Sequence, residues 1–66
     1  MVSEEPTRKV TKRLRDAGFV PIRTVGSHTV WEHVESGVKV TVPDGHRTIS
    51  PGVVRQINKK IEEAGQ

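Results

Sequence analysis

The chain has 66 residues, with 11 Lys plus Arg against 8 Asp plus Glu, three histidines and no cysteine. A chain this short closes one small core and has no room for a deep substrate cavity, so any chemistry falls on something laid across its surface, a polymer rather than a small metabolite. Disulfides and thiolate metal sites are excluded, and no apolar run approaches the roughly 20 residues that span a bilayer.

Residues 1–66 are expected to form a single domain, and the opening MVSEEPTRK lacks the hydrophobic stretch of a secretion signal. The reading is a soluble, cytoplasmic protein. The formal charge is only +3, but it is unevenly spread: TRKVTKRLR holds five positive charges in nine residues. A basic surface of this kind favours phosphate-rich partners or an acidic protein.

In chain order, Ser3 to Pro6 reads as a helix lead-in, with acidic residues near the positive end of the helix and proline early in its first turn. Val10, Leu14 and Ala17 then recur at helical spacing, and Gly18 is placed to stop the helix. FVPIRTV reads as a strand whose Pro21 suits a sheet edge. SHTVWEHV is a second strand, ESG a tight connection, and VKVTVP a third strand with strict alternation. DGHRT is expected to be a loop. SPGVVRQINKKIEEA opens a second helix, with Ser50 as N-cap, Pro51 at the first helical position and Gly65 as a stop.

The expected architecture is α+β, in the order α-β-β-β-α: a three-stranded antiparallel sheet with two amphipathic helices on one face and the other face wet. This layering is similar to that of the double-stranded-RNA-binding domain. The expected core is Val10, Leu14, Phe19, Val20, Ile22, Trp31, Val40, Val42, Val54, Ile57 and Ile61.

Strand alternation leaves two registers for the second strand. In one, Thr29, Trp31 and His33 face the helices, and His28, Val30 and Glu32 face water. In the other, Val30 and Val34 go inward, Trp31 is exposed and His28 is buried. Burying the only tryptophan and leaving Glu32 solvated favours the first, which puts His28 at the wet face beside Gly26 and Ser27. Taken alone, an exposed histidine at a strand entry is an ordinary surface residue.

The longer pattern is more specific. GSHTVWEH followed by VTVPDGHRTISPGVVRQI resembles the HicA (YcfA-like) family of small toxins, described as mRNA interferases. The similarity runs from RKVTKRLRDAGF through Ile57. It implies the α-β-β-β-α fold, metal-independent endoribonuclease cleavage of mRNA without a cofactor, and a HicB-type antitoxin that covers the active surface. The family's essential histidine falls on His28, within the matching Gly26–Ser27–His28 motif. Two features depart from the family pattern: the HVESGVK hairpin, and Asn58, where an apolar residue is usual.

Such chemistry suits an imidazole. The RNA 2′-hydroxyl attacks the adjacent phosphorus once deprotonated, and histidine, with an ordinary pKa of about 6.5, exchanges protons near neutral pH. His28 is then a general base, or a general acid toward the leaving 5′-oxygen. Candidates for a second group are His46, Ser27 or a lysine, whereas His33 points the other way. Arg23 or Arg47 would steady the phosphoryl charge. Lys9, Lys12, Arg13, Arg55 and Lys59 would hold RNA through its phosphates. With Trp31 in the core, a stacking platform for bases is poorly supported. The rival readings are a non-catalytic double-stranded-RNA-binding module, an inactive toxin-like interaction protein, and a metal site built from the three histidines, which their spacing disfavours.

Overall fold

The computed structural model describes residues 3–65. The chain enters through a two-residue strand β1 (Glu5–Pro6), helix α1 (Thr7–Asp16), then strands β2 (Phe19–Val25), β3 (His28–His33) and β4 (Lys39–Val42). A short strand β5 (Thr48–Ile49) and helix α2 (Pro51–Ala64) follow. Strands β2, β3 and β4 form an antiparallel sheet in that order, and β1 pairs with β5 in a separate two-stranded ribbon. The α+β class and the α-β-β-β-α order are those expected.

Helix α1 forms because Val10 and Leu14 stack one turn apart on a face that is fully buried, while the intervening positions are polar or charged. Arg13 and Arg15 lie in its last turn, where cations complement the carbonyl end of the dipole. Ala17 closes the helix, and Gly18, at φ +94°, turns the chain left-handedly into β2. A side chain at Gly18 would also press on the His33 ring, which lies 3.1 Å from the position of a built Cβ.

The buried side chains of both helices and the sheet join in one cluster: Val10, Leu14, Phe19, Trp31, Val40, Val42, Ile49, Val54, Ile57 and Ala64. Sharing one cluster places both helices on the same face of the sheet. Trp31 is 2% exposed and Thr29 is buried, whereas His28 is exposed. The tryptophan-inward register is therefore the one adopted.

Two expected core residues, Val20 and Ile22, are instead 42% and 47% exposed. Phe19 faces the helices, so Val20 next to it faces away. The β2–β3 register then shifts between Pro21 and Arg23, so Ile22 is an extra residue bulged out of the pairing. Ile49, absent from the expected core, takes up core volume instead, because pairing Thr48 and Ile49 with Pro6 and Glu5 turns Ile49 inward. Ile61 is partly buried against the cluster.

The entry to α1 also differs. No acidic residue lies in its first turn, and Pro6 occupies the N-cap position. Glu5 is drawn into the β1–β5 ribbon, and its carboxylate pairs with Arg13. Ser50 occupies the N-cap position of α2, but its side chain makes no cap hydrogen bond.

Arg13 is a clasp. One guanidinium nitrogen donates to Glu5 and the other donates to Asn58 Oδ1 at 2.8 Å, tying β1 and α2 to α1. That contact gives Asn58 a structural role. Among the described residues Lys12 meets only its helical neighbour Asp16, at 2.8 Å, with both side chains mostly exposed. Arg13→Met is therefore expected to lower stability by about 1–2 kcal/mol, and Lys12→Met by no more than about 0.5 kcal/mol. Paired thermal melts check this; equal shifts would contradict the clasp.

Candidate functional site

His28 begins β3 just after a two-residue hairpin turn, Gly26–Ser27, which pairs Val25 with His28. Gly26 has φ +60° and Ser27 does not have positive φ, the pattern of a type II′ turn, in which the first central position calls for glycine. The Ser27 hydroxyl lies 3.3 Å from His28 Nδ1. Among the described residues Nε2 meets no hydrogen-bond partner, so the far side of the ring is presented to solvent.

The turn is braced from beneath. Gly45 N–H donates to Ser27 O at 2.9 Å, and a Cβ on Gly45 would lie 2.5 Å from Ser27 Cβ and 2.8 Å from Ser27 Cα. Only glycine lets the loop after β4 approach so closely. Next to His28, Thr29 Oγ1 donates to Asp44 Oδ1 at 2.9 Å and lies 3.0 Å from Thr24 Oγ1. Since a hydroxyl carries one proton, Thr24 is the donor in that second bond, giving a relay Thr24→Thr29→Asp44 under the hairpin. The other side of the loop grips α1: Thr7 N–H donates to Arg47 O at 2.9 Å, and the Thr7 hydroxyl donates to His46 O.

One loop thus joins the His28 turn to the start of the basic helix and carries exposed His46 and Arg47 between them. Gly45→Ala is expected to cost about 1–3 kcal/mol, because the obstructing atoms include backbone. Gly52→Ala, in α2 with open space around its Cβ, should be neutral or stabilising by up to about 1 kcal/mol. Chemical denaturation of the two variants checks the contrast.

Arg23 pairs with Val30, and Val25 with His28, so Arg23 is the diagonal neighbour of His28 on the outer face, about 7–8 Å away at the backbone. With Ile22, Val30 and Lys39 it lines an open depression of about 260 Å³. Lys39 was not among the expected site residues, although the alternation in VKVTV already turns it outward once the valines face inward.

Other expected contacts are not gathered here. Arg13 is engaged by Glu5 and Asn58, and Lys12 by Asp16. Lys59 lines a groove with Lys39, which pairs with Glu32, four residues or about 13 Å along β3 from His28. Arg55 is exposed one turn earlier on α2, and Lys9 is exposed on α1.

His33 has a different occupation. Its ring packs edge-on against Phe19 with centroids 5.2 Å apart, and its Nδ1 accepts the Ser36 N–H at 3.1 Å. It shapes the hairpin between β3 and β4, on the opposite face from His28. Among the described residues no group of three or more His, Cys, Asp or Glu is placed to hold a metal ion, and no helix is long and apolar enough to cross a membrane. Residues that sequence reasoning missed are Thr24, Thr29, Asp44 and Gly45. DG before a histidine signals a turn, but not the strand it docks against.

No curated protein and no solved structure gives a significant match to the chain. The family model described as "HicA toxin of bacterial toxin-antitoxin" matches residues 7–66, which take in α1, the braced His28 turn and α2. On that match the chain belongs to the HicA family of toxins from bacterial toxin–antitoxin systems.

Proposed function

We propose that the protein is a cytoplasmic endoribonuclease that cleaves mRNA across the open face of its sheet, with His28 moving the proton. As a member of a toxin–antitoxin family it has an antitoxin partner, which on this reading is of the HicB type and covers that face. The observation that carries the proposal is the contrast between two histidines of one strand. His33 is packed and hydrogen-bonded into a turn, whereas His28 is exposed on a braced turn with one ring nitrogen turned to water.

RNA lying over the face would set a ribose 2′-hydroxyl and its phosphate between His28 and Arg23. His28 takes the proton as the 2′-oxygen attacks phosphorus, or gives one to the departing 5′-oxygen, and the Arg23 guanidinium offsets charge on the phosphoryl oxygens. His46 and Arg47, on the loop bonded to Ser27, supply the second acid–base group and a further cation. Gly26 and Ser27 shape the turn, and Lys9 extends the phosphate track along α1. Arg55 and Lys59 belong to a second region of the surface.

The test is incubation of purified protein with a defined RNA in the presence of a chelator, followed by end-group analysis. Cleavage that persists and leaves 2′,3′-cyclic phosphate ends is expected. A plain 3′-hydroxyl on the upstream fragment, or cleavage abolished by the chelator, refutes the mechanism. Binding without cleavage by the wild type favours the non-catalytic RNA-binding module instead.

A further inference from the structure

The two edges of the sheet are built differently. Val34 N–H donates to Gly18 O, and His33 N–H donates to Val38 O. In an antiparallel ladder bonded pairs alternate, so these two bonds set which backbone groups face outward. On β2 the outward position opposite Trp31 is Pro21, which has no N–H, and the strand bulges at the next residue. Proline and a bulge make that edge a poor template for another strand.

Strand β4 has neither. Trp31 with Val40, and Thr29 with Val42, are the bonded pairs, so Lys39 and Thr41 direct their N–H and C=O groups away from β3. Among the described residues none of these four groups has a protein partner. Beside this edge lies an open groove of about 490 Å³ between β4 and α2, into which Gln56, Lys59 and Lys60 project with Lys39. Three lysines and one carboxylate, Glu63, line the groove; Glu63 lies 3.5 Å from Lys60, and Glu32 stands opposite Lys39 on β3.

We propose that β4 receives an extended, acidic segment of a partner protein as a fourth strand. Peptide backbone matches the alternating donors and acceptors of Lys39 and Thr41, and carboxylates on the added strand meet Lys39, Lys59 and Lys60. A nucleic-acid backbone fits less well, because it offers phosphate acceptors where the edge also presents two carbonyls. A second copy of the chain fits less well too, because antiparallel pairing of two β4 strands would bring two sets of lysines together. This site lies along the β4 edge, shares Lys39 with the outer face about 13 Å along β3 from His28, and does not depend on RNA cleavage.

The probe is a six-residue peptide of alternating valine and glutamate, titrated to millimolar concentration into ¹⁵N-labelled protein. Amide shifts and slowed hydrogen exchange at Lys39 and Thr41, with Val25 to His28 unmoved, are expected. The double variant Lys59→Glu, Lys60→Glu should weaken the peptide at least tenfold. Thr41→Pro should abolish binding while the amides of Val40 and Val42 stay protected. Should Thr41→Pro fail to fold, the charge-reversed variant still decides. Any of these results overturns the proposal: no protection at Lys39 and Thr41, equal binding of the lysine-for-glutamate peptide, or occupation of these amides by a uridine oligonucleotide in preference to the peptide. Protection that rises with protein concentration alone would assign the edge to self-association instead.

Discussion

Replacing His28 by alanine is expected to lower RNA cleavage by about 10²–10⁴-fold, the range of a lost general acid or base. Its stability should change by no more than about 0.5 kcal/mol. Both halves follow from the same geometry. The ring is exposed, and its one hydrogen-bond contact among the described residues is the 3.3 Å approach of the Ser27 hydroxyl, so removing it opens no cavity and orphans no buried group. On the proposed mechanism, the chemistry loses its proton carrier. His33→Ala provides the comparison: it should destabilise, because the ring packs on Phe19 and holds the Ser36 turn, while the folded fraction keeps its activity. Cleavage assays normalised to the folded fraction by circular dichroism separate the two. Undiminished cleavage by the His28 variant would dismiss this histidine from the mechanism.

The largest stability effect is expected at Trp31. It is the biggest side chain in the core, lies opposite Pro21 on one strand and Val40 on the other, and is covered by the Arg15 guanidinium, 5.4 Å from its ring centroid. Truncating a buried aromatic to alanine costs about 3–5 kcal/mol. At roughly 0.05–0.15 kcal/mol per residue, a chain of this length has about 3–10 kcal/mol in all. Trp31→Ala should therefore lose most of its cooperative melting transition, and its activity with it. Trp31→Phe should be milder, because it also removes Nε1, a buried donor with no partner among the described residues. Arg15→Ala should cost about 0.5–1 kcal/mol through the lost cation–π contact. Calorimetry on the three variants checks the order. A Trp31→Ala protein that melts like the wild type would mean the sheet does not depend on this ring.

These two residues also mark where the sequence was most readable. With a single tryptophan and a period of two, one burial argument oriented the whole of β3 and put His28 on the wet face. Val20 and Ile22 misled for a definable reason: their apolar side chains read as core, and nothing within FVPIRTV announces the shift between Pro21 and Arg23. An edge strand with one face toward water leaves such residues exposed, and here they add to the apolar outer surface together with Val25.

The sequence by itself determined the two helices, the three long strands, their limits to within about a residue or two, the family, and the outward placement of His28. Those features rest on periodicity, turn chemistry and short motifs, all of which act within a few neighbouring residues. Tertiary structure alone decided the rest: that Gly45 seats on Ser27, that Thr24, Thr29 and Asp44 form a relay, and that Arg13 clasps Glu5 and Asn58. It also decided that β1 and β5 pair and that the β4 edge stays open. Most of these contacts join residues far apart in the chain, up to 45 positions for Arg13 and Asn58. Their geometry follows from how the helices and sheet pack together, which no local window of sequence records.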